Sequence, residues 1–234
     1  MIPVFTDRTR KHETWDLRRK DRMDTITCRE LPELFQGVAD IFSEEKDRLC
    51  EMDAKMGDGD LGLTMSKGYG ALPQLITDNL QEDSVGKTLM KAAMKMQSLV
   101  PSTMGTLMSS GIMAGGKAVG NKGEMTSADL AAFLTGFAGG IQKRGKCSLG
   151  DRTILDSVDA AAKAAEKASE EGADLRKVID AACAGAEAGV EATKDMIPKY
   201  GKAAVFAAKA KGVPDQGAVA GQLLIEGLAR YFRH

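Results

Sequence analysis

Three carboxylates stand close together in one glycine-rich stretch of the chain, from Met52 to Gly62. Asp53, Asp58 and Asp60 fall within eight residues of one another, and glycines interleave with them. Glycine permits positive φ angles and a close approach of the backbone, so this spacing predicts a tight loop on which the carboxylates converge. Converging anions repel one another unless a cation lies between them. Because every side-chain ligand here is an oxygen, the natural candidates are the hard cations Mg²⁺ and Ca²⁺.

Two simpler interpretations of this loop compete with an open metal site. A calcium-binding EF-hand loop requires glutamate at its twelfth position. Counting from Asp58 the twelfth residue is Tyr69, and counting from Asp53 it is Thr64, so the EF-hand is excluded. An ordinary solvated turn, which is a common use of Asp and Gly together, stays open. If the loop does bind an ion, its few protein ligands are typical of Mg²⁺ that is shared with waters and substrate phosphates.

Histidine is scarce in this chain of 234 residues. The only two, His12 and His234, both lie near the chain ends. Ser-His-Asp and Cys-His catalytic arrangements and His-rich zinc sites all need histidine inside the fold, so these site classes are excluded. Chemistry in this chain must therefore depend on carboxylates, lysines, backbone amides and a metal ion.

The bulk composition is that of an ordinary globular protein, with 43% hydrophobic residues and a net charge of −1. Such a balance gives no general attraction to nucleic acid or to a membrane surface. No apolar run approaches the length of a membrane span, and residues 1–22 lack the apolar core of a secretory signal. The four scattered cysteines are typical of reduced thiols. We therefore expect a cytoplasmic protein, with neither nucleic acid nor a membrane among its partners.

The elements that must position the carboxylates are helices. Apolar residues recur at i, i+3, i+4 and i+7 along most of the chain, and no segment alternates for long enough to predict a strand. Ser84, Thr126 and Asp151 stand where helix N-caps are expected. About eight helices and no sheet predict an all-α fold. We expect residues 1–26 to be a polar N-terminal extension and residues 27–234 to be a single domain.

Two further segments have features of phosphate-binding loops. Residues 111–117 match the GxxxxGK pattern of a Walker A loop, but Ala118 stands where a Mg²⁺-binding Ser or Thr is needed, which favours helix packing. The turn from Pro101 to Gly105 puts Ser102 and Thr103 at the start of a helix, where free backbone N–H groups and the helix dipole favour an anion. Taken alone, these two residues are more often ordinary N-caps, so both interpretations stay open.

Three motifs in a fixed order resemble the nucleotide-binding L subunit of the dihydroxyacetone kinases, over roughly residues 28–233. The first motif is the carboxylate loop and the residues that follow it, 53–65. The second is Arg-Gly-Lys-Cys-Ser-Leu-Gly-Asp-Arg-Thr at residues 144–153. The third is Tyr-Gly-Lys-Ala at residues 200–203, followed by Pro-Asp-Gln-Gly-Ala at residues 214–218.

The resemblance implies an eight-helix antiparallel barrel that binds a nucleotide and metals at one end. Asp53, Asp58 and Asp60 would be the catalytic residues and would hold two Mg²⁺ ions bridging the phosphates of ADP or ATP. The nucleotide-binding residues that it implies lie in four segments, which are Leu61, Gly62, Leu63 and Thr64; Ser102, Thr103, Met104 and Gly105; Gly145 and Ile154; and Lys202, Asp215, Gln216 and Gly217.

The chain departs from the pattern of this family in four places. Pro-Ser-Thr-Met at residues 101–104 replaces a glycine/serine-rich phosphate loop. Leu61 stands where the dihydroxyacetone-specific members usually have histidine. Lys202 replaces an arginine and lacks its bidentate fork, and Gln216 replaces a proline. These departures favour a related branch that phosphorylates other small sugars, such as four-carbon ketoses.

The resemblance also implies a partner, a K-type substrate-binding subunit that holds the small keto-sugar through a histidine of its own. Dihydroxyacetone or a tetrulose would then receive the phosphoryl group from ATP. One alternative is a subunit that retains ADP and is rephosphorylated by a phosphocarrier protein of the phosphotransferase system. Another is a non-catalytic, nucleotide-sensing regulatory partner. We further expect a homodimer.

Overall fold

The structure is a computed structural model that describes residues 24–206 and 210–233. In chain order these residues form the helices α1 Leu31–Glu44, α2 Lys46–Ala54, α3 Leu61–Asp78, α4 Val85–Leu99, α5 Thr103–Val119, α6 Ser127–Gly145, α7 Ile154–Glu170, α8 Leu175–Ala192 and α9 Gln216–Arg230. The all-α prediction is therefore confirmed. The expectation of no sheet needs one small correction, because β1 (Ile26–Thr27) pairs antiparallel with β2 (Glu124–Met125). None of the described helices combines the length and the hydropathy needed to cross a bilayer.

The long helices pack against one another in a closed order. Helix α1 packs on α3, each helix from α3 to α9 packs on the next, and α9 packs back on α1. Helix α2 follows α1 after a single non-helical residue, Glu45, and packs against α3. The predicted eight-helix barrel requires such a closed order of neighbours. Most connections between these neighbours are short, as is usual between antiparallel helices.

The N-cap predictions at Ser84 and Thr126 are confirmed. The Ser84 hydroxyl accepts a hydrogen bond from the backbone N–H of Lys87 at 3.2 Å. The Thr126 hydroxyl accepts one from the N–H of Asp129 at 3.3 Å, and the Asp129 carboxylate accepts the N–H of Thr126 in return. Each cap satisfies N–H groups that the first helical turn leaves without a partner, which fixes where α4 and α6 begin.

The N-cap prediction at Asp151 is wrong. Thr153 caps α7 instead, and its hydroxyl accepts the N–H of Leu155 at 3.2 Å. The residue between them, Arg152, has a φ of +59°, and this left-handed turn points Asp151 away from the helix. Asp151 accepts the backbone N–H of Ser148 at 2.7 Å within the preceding loop.

The predicted N-terminal extension lies almost entirely outside the described residues. Its last residue, Ile26, is fully buried and pairs with Met125 in the short ladder. Ile26 is therefore part of the packed region rather than of an extension.

Glycine lets α3 approach α2 closely at the point where the carboxylate loop ends. A side chain at Gly62 would collide with the carbonyl oxygen of Lys46 and would lie 2.9 Å from the Sγ atom of Cys50. This close contact places the start of α3 against the first half of α2, with the carboxylate loop connecting the two helices. On the same helix, a side chain at Gly70 would meet no atom within 4 Å.

We expect opposite effects on stability from Gly62→Ala and Gly70→Ala. The methyl group at residue 62 overpacks the α2–α3 contact and should cost about 1–3 kcal/mol. The methyl group at residue 70 lies in open space in mid-helix and should stabilise the protein by about 0.5–1 kcal/mol. Thermal unfolding measures both effects, since 1 kcal/mol shifts the Tm of a domain of this size by roughly 2–4 °C. Equal shifts in the two variants would contradict this packing.

Candidate functional site

A cavity of about 480 Å³ opens at one end of the ring of helices. The first residues of four helices lie in its wall, namely Leu61 of α3, Thr103 of α5, Ile154 of α7 and Gln216 of α9. Because these alternate helices all begin at the same end, their ring neighbours run in the opposite direction. Each helix start carries backbone N–H groups without helical partners and the positive end of the helix dipole. The four together favour an anionic ligand in this cavity.

Asp53 organises the carboxylate loop from the last turn of α2, where it is buried. Its Oδ2 atom accepts the backbone N–H of Gly59 at 2.9 Å and of Asp60 at 3.2 Å, with the N–H of Leu61 at 3.4 Å. Its Oδ1 atom faces the side-chain amide of Gln216 at 3.4 Å. One carboxylate therefore closes the loop onto the start of α3 and also contacts the start of α9.

The other two carboxylates of the loop are exposed in the cavity wall. Asp58 pairs through Oδ1 with the ammonium group of Lys202 at 2.6 Å. Asp60 stands at the N-cap position of α3, but its side chain makes no capping hydrogen bond. Within the described part of the chain, no three Asp, Glu, His or Cys side chains lie close enough together to hold a metal ion by themselves. Asp53 is hydrogen-bonded to backbone amides, and Asp58 is paired with Lys202.

The donor chemistry of this wall nevertheless fits a hard cation. Its side-chain ligands are carboxylate oxygens. One of them, on Asp58, already contacts a cation, the Lys202 ammonium group. An ion here would need further ligands from water or from a bound anion, which is how Mg²⁺ is commonly held.

A second cavity, of about 630 Å³, adjoins the first. Both cavities share Thr103, Ile154 and Tyr200 in their walls, so they form one continuous depression. Ser102 also lies in both walls, where its hydroxyl caps α5 by accepting the N–H of Gly105 at 3.0 Å. The ordinary N-cap role considered for Ser102 is therefore present, and it leaves the backbone at the start of α5 facing the cavity.

Most of the predicted site residues are brought together. The first cavity is lined by Asp53, Asp58, Asp60, Leu61, Thr64, Ser102, Thr103, Met104, Ile154, Lys202, Asp215, Gln216 and Gly217, and the second also by Gly145. Three predicted residues line neither cavity. Gly62 packs against α2, Leu63 is 57% exposed, and a side chain at Gly105 would meet the carbonyl oxygen of Val100.

Sequence reasoning missed a role for Arg152, whose side chain is fully buried in the wall of the first cavity. Its Nε donates to the carbonyl of Thr193 at 3.2 Å, and one Nη2 N–H donates to the carbonyl of Val213 at 2.9 Å. Its Nη1 atom lies 3.5 Å from a carboxylate oxygen of Asp215. Arg152 therefore fixes both ends of the connection between α8 and α9. Its membership of the second motif was the only signal, because a loop arginine is more often solvated.

Two further contacts hold the middle of this connection, which carries Lys202. The Tyr200 hydroxyl donates to the carbonyl of Lys146 at 2.7 Å. The ammonium group of Lys199 donates to Asp151 at 2.6 Å, and this bond lowers the pKa of Asp151 and raises that of Lys199. The second and third motifs are therefore tied directly to each other.

Asp215 is a buried carboxyl group at the start of α9. Burial raises its pKa to about 6, although the hydrogen bond from the Ala218 amide and the nearby Arg152 guanidinium both favour the charged form. It caps α9 by accepting the N–H of Ala218 at 2.8 Å. Its own N–H donates to the hydroxyl of Thr193 at 2.9 Å.

We expect Asp53→Ala and Asp60→Ala to separate the structural carboxylate from the exposed one. Asp53→Ala leaves backbone N–H groups of the loop without an acceptor, which should cost about 2–3 kcal/mol and lower the Tm by roughly 4–12 °C. Asp60→Ala removes no hydrogen bond of its side chain and should shift the Tm by no more than about 2 °C. Both variants are melted in EDTA, so that only the protein's own contacts are compared. A Tm loss for Asp60→Ala as large as that for Asp53→Ala would contradict this division.

The raised pKa of Asp215 makes folding stability depend on pH. The unfolded carboxyl has a pKa of about 3.9, so between about pH 4 and pH 6 the folded state binds more protons and stability falls as the pH rises. The full cost is about 3 kcal/mol. Asp215→Asn keeps an acceptor for Ala218 but does not ionise, and it should therefore be more stable than the wild type at pH 7 by more than it is at pH 4. Urea unfolding at both pH values measures the difference. Parallel pH profiles for the two proteins would contradict it.

Comparisons with known proteins agree on one family. A family model described as the DAK2 domain matches residues 55–230. The chain is 26% identical to the ADP-binding subunit DhaL of the PEP-dependent dihydroxyacetone kinase of Escherichia coli (strain K12), over 81% of this chain and 90% of that subunit. It is 30% identical to triokinase/FMN cyclase of Homo sapiens, over 78% of this chain but 32% of that protein.

A solved structure gives the same fold. The native dihydroxyacetone kinase of C. freundii superposes with a TM-score of 0.62 at 23% sequence identity, over 85% of this chain and 34% of that one. The family match covers most of the chain and includes all three motifs except Asp53 and Ala54 at the start of the first. The chain therefore belongs to the DAK2 domain family.

Proposed function

We propose that this chain is the nucleotide-binding, phosphoryl-transfer subunit of a small-sugar kinase. It binds ADP or ATP with Mg²⁺ and transfers a phosphoryl group to dihydroxyacetone or a related keto-sugar that a separate K-type subunit holds. The observation that carries this proposal is the convergence of four helix starts, the exposed Asp58 and Asp60, and Lys202 on one cavity. Relatives named as a dihydroxyacetone kinase subunit, triokinase and D-erythrulose kinase support it.

Different residues of the first cavity would hold the metal and the phosphates. Asp58 and Asp60 would hold Mg²⁺, and Asp53 would add a ligand while its Oδ2 keeps the loop closed. The remaining metal ligands would be phosphate oxygens and water, and we propose two ions. When bound, Mg²⁺ neutralises charge on the phosphates during transfer. The backbone N–H groups at the helix starts and Lys202 orient the phosphates, so the protein acts mainly by positioning and electrostatics.

The second cavity receives the nucleoside. It is lined by apolar and small residues such as Leu107 and Gly145, with Tyr200 at the border with the phosphate cavity. Its volume of about 630 Å³ falls within the range of small-molecule sites. The relative solved with AMP-PNP and Mg²⁺ supports a nucleotide in this fold.

Among these keto-sugars, two observations favour a tetrulose as the acceptor. Leu61 directly follows the carboxylate loop, is 5% exposed and lies in the cavity wall. Dihydroxyacetone-specific members of the family usually have histidine at this position. Relatives named D-erythrulose kinase and L-erythrulose kinase, which are 28% and 26% identical, support a four-carbon substrate.

One alternative within the same chemistry has an observation in its favour. Two relatives, from E. coli and Listeria innocua, are named as ADP-binding subunits of PEP-dependent kinases, and this chain spans 90% and 89% of their lengths. In that mode ADP stays bound and a phosphocarrier protein rephosphorylates it. The rate at which labelled ADP exchanges from the protein separates the two modes, because a kinase that uses ATP must release ADP in every turnover.

We expect Mg²⁺ and ADP together to raise the Tm much more than either does alone. A ligand at about 100 times its Kd adds about 2.7 kcal/mol, which is roughly 5–11 °C for a domain of this size. Asp58→Asn should lose most of this shift and should also abolish sugar phosphorylation in the presence of the K-type subunit.

As a control, a separate sample of the purified protein is denatured and assayed for released ADP. This shows whether nucleotide was already bound before the melting experiment. A flat melting response in protein that carries no nucleotide would contradict the proposal. Wild-type turnover in Asp58→Asn would contradict the metal role of the loop.

A further inference from the structure

One ion pair joins the carboxylate loop to the opposite side of the cavity. The Lys202 ammonium lies 2.6 Å from the Oδ1 atom of Asp58, and the two side chains are 61% and 56% exposed. Among the ion pairs of the described residues, no other involves Asp53, Asp58 or Asp60. Among the described residues, Lys202 is therefore the cation that pairs with the carboxylates of this loop.

We propose that Lys202 is an exchangeable counter-ion for this loop, paired with Asp58 until the metal–nucleotide complex binds and then transferred to the nucleotide phosphates. This inference rests on the proposed nucleotide function and adds a selection rule to it. The loop binds metal together with nucleotide in preference to metal alone.

The selection follows from competition for one oxygen atom. A metal ion and an ammonium group that both contact Oδ1 of Asp58 repel each other, so they compete for this oxygen. A metal that arrives alone must displace Lys202 and leave it unpaired beside a second positive charge. A metal that arrives with a nucleotide brings phosphate oxygens that accept Lys202, so the displaced ammonium regains a partner.

In this proposal the exchange is a movement of the Lys202 side chain. The backbone just before Lys202 is fixed by the bond from Tyr200 to Lys146 and by the pair of Lys199 with Asp151. Lysine has a flexible four-carbon stem and a compact charge, whereas the planar arginine fork favours one fixed bidentate geometry. Lysine at position 202 is therefore suited to changing partners.

The test compares Mn²⁺ binding, with Mn²⁺ replacing Mg²⁺, in the full-length wild type and in Lys202→Met, by electron paramagnetic resonance with and without ADP. Without ADP, the variant should bind Mn²⁺ about two- to fivefold more tightly, as expected for the loss of an exposed competing pair. With ADP, it should bind Mn²⁺ at least about tenfold more weakly, as expected for the loss of a charged hydrogen bond to phosphate. The opposite signs distinguish exchange from a merely structural role.

Lys55→Met is the matched control. Lys55 is an exposed lysine three residues from Asp58, and it forms no ion pair among the described residues. Its removal deletes the same charge near the loop without freeing a carboxylate, so Mn²⁺ binding should change less than in Lys202→Met. Lys202→Arg should keep the pairing with Asp58 and should not show the gain in binding of Mn²⁺ alone.

Three outcomes would overturn the inference. The first is weaker Mn²⁺ binding by Lys202→Met in both conditions, and the second is an equal gain in Lys55→Met, which would indicate a general charge effect. In the third, the wild type fails to bind Mn²⁺ with ADP at all, and the proposed nucleotide function then falls as well. The first two outcomes leave the nucleotide function intact, so a failure of the counter-ion exchange can be distinguished from a failure of the nucleotide function.

Discussion

The site depends on the backbone N–H groups that α-helices leave without partners at their starts. In a closed ring of antiparallel neighbours, alternate helices must begin at the same end, and α3, α5, α7 and α9 all begin at one cavity. Side-chain caps satisfy only some of these N–H groups, as Ser102 does for α5 and Asp215 for α9. The remaining groups, with the four helix dipoles, favour an anion at this end of the ring. A phosphate-bearing ligand is the natural partner of such a surface.

Two buried charged residues position the side chains to which we assign the proposed metal and nucleotide binding. Asp53 folds the carboxylate loop over the start of α3, and Arg152 holds the ends of the connection before α9. Together they bring Asp58 and Lys202, which are 144 positions apart in sequence, to within 2.6 Å. The opposite charges needed for a metal and for its phosphates are therefore exposed side by side, while the groups that place them are buried.

Local sequence signals predicted the helices and the carboxylate loop, because the interactions involved act over a few residues, whereas most other site residues came from the family resemblance. A serine or threonine cap, as at Ser84 or Thr126, bonds within its own first turn, and the three carboxylates lie within one loop. No local pattern could predict Arg152, whose hydrogen bonds reach carbonyls 41 and 61 residues away. The same limit explains Leu63, which shares a motif with the loop but faces outward once α3 packs. The order of the three motifs carried the long-range information that periodicity lacks.

A crystal structure with Mn²⁺ and ADP tests the central claim most directly, because anomalous scattering locates the metal independently of the nucleotide. We expect an anomalous peak from a metal that Asp58, Asp60 and phosphate oxygens all coordinate. The same phosphate group should contact the backbone N–H groups at the starts of α3 and α5. A nucleotide bound away from this end of the ring, or a metal with no phosphate among its ligands, would contradict the account.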